Sequence, residues 1–327
     1  MGRDDHYIIG FDLGGTKMVS AVLDAGFEIV SRKKTRTAAQ EGNEAVCERL
    51  IRTISGSLDE AGIGVSQIRG IGLAVPGPLD RQKGILIYTP NLGFRNFALK
   101  ERIEKKFKVP VFLENDVNAG VYGEFKKGAA VGYRNVIGIF PGTGIGGGLI
   151  LDGKLFRGTT GNAGEIGHMI IQVNGPLCGC GQYGCVEALA SRTALAKDAV
   201  ALASSGTAPL VYQEAGTDFK NYKSGVFVKA YKKGSPKIVQ LIERSAWFLG
   251  IAMANCINLL NPEVFVLGGG LVEKLGDSYI RVAEKSMREH SLPGLVEVVK
   301  VAKAKLGDDA ALVGAANVVL DEIEGKG

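Results

Sequence analysis

The sequence predicts an α/β protein of two lobes built on one repeated plan, and three observations carry that reading. A chain of 327 residues exceeds the size at which a single hydrophobic core keeps growing. Apolar runs at strand spacing alternate with runs at helical spacing along the chain. A hairpin turned by glycines opens each half, at Asp12-Leu-Gly-Gly-Thr-Lys17 and again at Pro141-Gly-Thr-Gly-Ile-Gly-Gly-Gly148. The halves match in pattern and not in residue identity.

The first stretch, YIIGFDLGGTKMVSAVLDAGFEIVSRKKTRT, reads as three strands separated by Gly-Gly-Thr and Asp-Ala-Gly turns, an antiparallel meander. Val46, Leu50, Ile54 and Leu58 recur at helical spacing and predict a helix over Asn43 to Ala61. A short buried strand, IRGIGLAVPG, follows. A second helix is expected around Leu99 to Phe107 and a strand from Val109 to Glu114. The rhythm then restarts: NVIGIFPGTGIGGGLIL predicts strand, glycine turn and strand, followed by further strands, a long helix near 236–260 and the strand VFVLGGG. The spacing in LGDDAALVGAANVVL predicts a final helix that returns to the first lobe. The uncharged run Ser245 to Pro262 barely reaches bilayer length and carries Asn255, Asn258 and Asn261, so it reads as a core helix.

Composition excludes whole classes. The apolar fraction of 46% and charged fraction of 22% are those of an ordinary globular protein, not of a disordered or fibrous one. Forty-seven glycines, about twice the usual share, fall in short loops and imply tight turns and close backbone approach to ligands. The net charge of +5 is spread along the chain, so no nucleic-acid partner is expected. No signal peptide or membrane span is apparent, and the expected location is cytoplasmic. Cys47 and Cys256 stand alone on helical patterns and read as small buried apolar residues.

Five segments carry chemistry. On the first hairpin, Gly14 and Gly15 would let backbone N–H groups approach an anion, the Thr16 hydroxyl can donate, and Asp12 at the strand end could hold a hydrated cation; a plain hairpin turn is the alternative. The second glycine loop poses the same choice, and its spacing is not that of a dinucleotide fingerprint. Together with Gly268-Gly269-Gly270 after a buried strand, the two loops suit a nucleotide held between lobes. In Glu114-Asn-Asp-Val-Asn118, a carboxylate at a strand end can accept a proton from a hydroxyl nucleophile, while Asn115 or Asp116 could instead cap a helix. Finally, His168, Cys178, Cys180 and Cys185 offer one imidazole and three thiolates, a set suited to tetrahedral zinc. Four protein ligands leave no open position, so such a zinc is structural.

In order, DLGGTK, ENDVNAG, GTGIGGG, GEIGH, CGCGQYGCVE and VLGGG resemble the ROK family (repressors, open reading frames, kinases), here a bacterial glucokinase-like sugar kinase, over about residues 8 to 316. The resemblance implies the actin-like ATPase fold, with two ribonuclease-H-like lobes around an interlobe cleft. The expected lobes are residues 1–118 plus 304–327 and residues 119–303. It implies that Asp12, Gly14, Gly15, Thr16 and Lys17 lie near the phosphates of ATP and Mg²⁺, that Thr143 and Gly144 contact the phosphates from the other lobe, and that Gly269 and Gly270 flank the adenosine. Asn115, Asp116, Glu165, His168 and Glu187 are implied to hold sugar hydroxyls, with Gly77 and Asn91 as further sugar-site residues. His168 would use one ring nitrogen on the structural Zn²⁺ and the other on the sugar. Asp116 would be the catalytic base for transfer of the γ-phosphoryl group to a hexose, with glucose first and N-acetylglucosamine or N-acetylmannosamine as alternatives. Family members also include sugar-responsive repressors with an N-terminal helix-turn-helix domain, for which the dozen residues before Asp12 leave no room. A homodimer or homotetramer is expected from the family.

Overall fold

The computed structural model describes residues 6–89 and 91–325. They divide into two compact units, one from residues 1–132, 148–163 and 308–327 and one from 133–147 and 164–307. These bounds differ from the expected lobes: residues 119–132 fall in the first unit, where the helix over Asp116–Lys127 packs on the C-terminal helix, and residues 148–163 fall there as well.

The meander forms as expected. Strands β1 (Tyr7–Leu13), β2 (Lys17–Leu23) and β3 (Ile29–Arg36) pair antiparallel, with Asp12 opposite Val19. Helix α1 (Asn43–Ala61) buries Val46, Cys47, Leu50, Ile54 and Leu58, the stripe its spacing dictates, and ends at Gly62 in a left-handed conformation. β4 (Ile68–Val75) then pairs parallel with β1. A small sheet of β5 (Leu79–Asp80), β6 (Ile85–Tyr88) and β7 (Arg95–Ala98) follows. The sequence reading did not include it, because strands of two to four residues carry too few alternations to register. Helix α2 (Leu99–Phe107) leads to β8 (Val111–Asn115), parallel to β4, and to α3 (Asp116–Lys127). The main sheet has the order β3-β2-β1-β4-β8.

The same plan recurs. β9 (Val136–Pro141), β10 (Ile145–Leu151), β11 (Lys154–Phe156), β12 (Val264–Leu267) and β13 (Lys300–Lys303) form a sheet of order β11-β10-β9-β12-β13. Ranked by position in each sheet's own chain order, both sheets read 3-2-1-4-5. Between β11 and β12 lie α4 (Val186–Ala190), α5 (Arg192–Ser204), α6 (Pro209–Ala215), α7 (Ser224–Lys232) and the long α8 (Pro236–Leu260). The stretch 203–237 is therefore largely helical. After β12 come α9 (Gly269–Leu275), α10 (Asp277–His290) and α11 (Pro293–Val296), and β13 is followed by α12 (Ala310–Ile323) in the first unit. No helix of the described residues is long and apolar enough to cross a membrane.

Glycines let α12 seat against α3 and the first sheet. A Cβ on Gly314 would lie 1.7 Å from the Ala119 carbonyl oxygen, and one on Gly72 would lie 2.0 Å from that of Ala315. Gly314→Ala must push two helices apart, and overpacking of this kind costs about 3 kcal/mol or more when backbone must move. Chemical denaturation should show the loss; a variant as stable as the parent would mean that α12 seats differently.

Candidate functional site

In the first unit, the carboxyl ends of parallel strands β1, β4 and β8 lie side by side: Asp12 is in register with Ala74, and Val75 with Asn115. Loops leaving these ends therefore gather at one edge of the sheet, where ligands of open α/β sheets bind. The turn Gly14 to Thr16 is held from Thr37, whose Oγ1 donates to the Gly14 carbonyl at 2.6 Å and whose N–H donates to the Thr16 carbonyl at 2.9 Å. Those carbonyls are thus satisfied away from the edge. Gly15 is exposed and neighbours Asn91, since a Cβ there would lie 3.6 Å from the Asn91 Cβ. Gly77 adopts φ +83°, and a Cβ would meet the Tyr88 carbonyl oxygen at 2.5 Å.

Asp116 opens α3 beside this hairpin. Asn115 caps the helix, its Oδ1 accepting from the N–H groups of Val117 at 2.9 Å and Asn118 at 3.1 Å. The capping alternative thus holds for Asn115, and it orients Asp116 on the first turn. Behind it, buried Glu114 accepts from the Asn115 N–H at 3.0 Å and from Arg157 Nε at 2.7 Å. Asp12 is pushed up to about 7, first by burial and then by the Asp116 carboxylate, with Asp308 adding weakly against the lowering by Lys17. Lys17 Nζ donates to Asp308 Oδ2 at 2.5 Å. A pair of close carboxylates that resists double ionisation, offering hard oxygen donors, fits a divalent cation such as Mg²⁺.

In the second unit, the loops after parallel β9 and β12 are also neighbours, with Ile139 in register with Leu267. Gly269, at φ +77°, approaches so closely that a Cβ would lie 2.8 Å from the Pro141 carbonyl oxygen. Gly144 abuts Glu187: a Cβ would lie 2.2 Å from Glu187 Oε2, which accepts from the Ile145 N–H at 2.9 Å. Glu187 therefore sits against the glycine loop, and its Oε1 lies 3.8 Å from Cys178 Sγ.

The ligand atoms of His168, Cys178, Cys180 and Cys185 all lie within 4.8 Å of one another. Cys178 Sγ is 3.7 Å from His168 Nδ1, and Cys180 Sγ is 3.7 Å from Cys185 Sγ. A tetrahedron with bonds near 2.3 Å has edges of about 3.8 Å, so this set fits zinc. Nδ1 faces the thiols, while Nε2 lies 3.9 Å from Glu165 Oε2, which leaves that nitrogen for a second partner.

A cavity of about 210 Å³ is lined by Thr143, Gly144, Cys178, Glu187, Thr193 and Lys197, among others. Two larger hollows, of about 540 Å³ between α5 and α8 and about 670 Å³ beside α1 and α2, contain none of the candidate residues. They have no glycine loop and no cluster of candidate ligands, whereas the smaller cavity is lined by several of the candidate residues.

The ROK family model matches residues 8–322. The chain belongs to the ROK family. It is 33% identical to a glucokinase of Halalkalibacterium halodurans, over 95% of this chain and 94% of that one. A ROK hexokinase from Thermus thermophilus superposes with a TM-score of 0.83 at 34% identity, covering 98% of this chain and 99% of the other. A ROK family glucokinase from Streptomyces griseus, solved in complex with glucose and AMPPNP, superposes with a TM-score of 0.82 at 32% identity, covering 95% and 98%. The ROK fold is that of the actin-like ATPases, and the sheet order repeated in the two five-stranded sheets is its signature here.

Sequence reasoning singled out neither Arg192, which donates to Thr143, nor Asp308, which pairs with Lys17. Neither lies in a glycine motif, and only the fold brings them to the loops.

Proposed function

We propose that this ROK chain is an ATP-dependent hexose kinase that transfers the γ-phosphoryl group of ATP to a hydroxyl of glucose, giving glucose 6-phosphate. The observation that carries the reading is the Asp12–Asp116 pair at the edge where the Asp12-Leu-Gly-Gly-Thr hairpin and the start of α3 meet. One carboxylate suits a metal–phosphate complex, and the second suits a hydroxyl proton.

In this reading the new bond joins the sugar oxygen to the γ-phosphorus. The bond from that phosphorus to the bridging oxygen breaks, and ADP leaves with the electron pair. Asp116 accepts the hydroxyl proton, and such general-base help is worth about 100- to 10,000-fold. The hairpin at Gly14 to Thr16, the hydroxyl of Thr143 and the amide of Gly144 donate to phosphate oxygens, where charge accumulates. Gly269 and Gly270 leave room for the adenosine. Asp12, assisted by Asp116, would hold Mg²⁺, which neutralises phosphate charge when bound.

Glu165, His168 and Glu187 of the second unit, and Asn115, Gly77 and Asn91 of the first, are the sugar ligands in this reading. His168, Cys178, Cys180 and Cys185 would hold Zn²⁺, which supplies a structural cross-link when bound. With Nδ1 turned toward the thiols, Nε2 of His168 is the nitrogen left for a sugar oxygen.

The test is ADP release with MgATP across glucose, N-acetylglucosamine, N-acetylmannosamine, mannose and fructose. Glucose should give the highest kcat/KM, by about tenfold at least, well within what a site that hydrogen-bonds a substrate hydroxyl can achieve against analogues that misplace it. Preference for an N-acetylated hexose would retain the kinase and change its acceptor. Binding without turnover of any sugar would make the chain a sugar-responsive regulator.

A further inference from the structure

The second glycine loop is tied to the start of α5 in a way that uses up its acceptors. The Gly142 carbonyl accepts from the Arg192 N–H at 3.0 Å, and the Thr143 carbonyl accepts from Thr193, from its N–H at 3.3 Å and its Oγ1 at 2.6 Å. The Gly144 carbonyl accepts from the Gly142 N–H at 2.8 Å. Each of these three consecutive carbonyls holds a donor, whereas the N–H groups of Thr143 and Gly144 have no hydrogen bond among the described residues. The Arg192 side chain adds to them: Nη2 donates to Thr143 Oγ1 at 2.5 Å. Because that oxygen accepts from Arg192, the Thr143 hydroxyl can donate its own proton to a ligand.

Arginine presents five N–H groups in a planar fork. Among the described residues its side chain has this one hydrogen-bond partner and forms no ion pair, so the guanidinium keeps N–H groups to offer a ligand. Lys197, on the next turn of α5, lines the same cavity as Thr143 and also forms no ion pair among the described residues. The carboxylate lining this cavity, Glu187, is turned to the Ile145 N–H and forms no ion pair with either cation among the described residues.

We propose that Arg192 is a further phosphate-binding residue, whose guanidinium engages the terminal phosphates of the nucleotide and fixes Thr143 as a donor to the same group. A planar fork is matched to phosphate oxygens and grips them with charge-assisted hydrogen bonds. Lys197 supplies a second, more mobile positive charge. The identity of the anion rests on the kinase reading; the presence of an anion subsite does not.

The experiment measures dissociation constants of AMP, AMPPNP and pyrophosphate by calorimetry for the parent, Arg192→Met and Arg192→Lys, with sugar binding as a check that the site is folded. Arg192→Met should weaken AMPPNP and pyrophosphate by about 10- to 100-fold, the range of a lost charge-assisted bond. AMP and sugar affinity should stay near the parent values, Arg192→Lys should fall between, and added guanidinium ion should restore part of the turnover of Arg192→Met. If the parent and Arg192→Met bind AMPPNP equally, the proposal is wrong and the kinase reading survives. If AMP affinity and sugar affinity fall in step with AMPPNP, Arg192 merely braces the loop, and the proposal is wrong again. Should the parent bind pyrophosphate in an Arg192-dependent way but no adenine nucleotide, the anion subsite stands and the ATP assignment falls. Loss of all binding by the parent itself would overturn both.

Discussion

Asp116→Asn keeps sugar binding and loses turnover, by about 100- to 10,000-fold in kcat. The amide occupies the volume of the carboxylate and still hydrogen-bonds a hydroxyl, so the ground state changes little. What it lacks is a lone pair basic enough to take the proton as the phosphorus–oxygen bond forms. The first turn of α3 should survive, because its cap is Asn115 and its support is Glu114 with Arg157. Steady-state kinetics with a parallel measurement of glucose affinity checks this. A variant with near-parental kcat would remove Asp116 from the chemistry; one that loses sugar affinity in proportion to kcat would make it a binding residue only.

If the proposed zinc site is right, Cys180→Ser should lower zinc content and sugar affinity together. Among the thiols, Cys178 and Cys185 are buried and Cys180 is exposed, so replacing Cys180 leaves no cavity and disturbs packing least. Losing a direct ligand should weaken zinc by about 100-fold or more, at least the upper end of what removing a group that hydrogen-bonds a ligand costs. Without the metal, Nδ1 of His168 is no longer held toward the thiols, and Nε2 loses its aim. Glu187 is held partly by its own bond from the Ile145 N–H, so sugar affinity should fall without vanishing. Metal analysis and sugar calorimetry on one preparation check the pair. Zinc lost with sugar affinity unchanged would show that the loop does not orient His168.

Helices and strands with strong periodicity were readable. The stripe Val46, Leu50, Ile54 and Leu58 predicts α1 to its observed ends, Asn43 and Ala61, because burial of one face imposes that spacing. Asn115 was readable as a cap for the same local reason. The strands of the small β5-β6-β7 sheet were not: pairing with one another, rather than any repeat, makes them strands. The first unit's hold on residues 119–132 was also invisible, since it depends on α3 meeting α12 across almost 200 residues of chain, with Gly123 and Gly314 at the contact.

By itself, the sequence determined which residue types stand at the strand ends and in the cysteine loop, and so the family. Those are local facts: a glycine turn, a cap, four ligands within eighteen residues. Only the tertiary structure decided which of those residues face one another. Register between parallel strands brings Asp12 to the edge where Asp116 stands and Gly269 to Pro141, and packing of α5 on the glycine loop brings Arg192 to Thr143. These neighbours are set by strand pairing and close packing between segments distant in the chain, and no pattern within a short window records either.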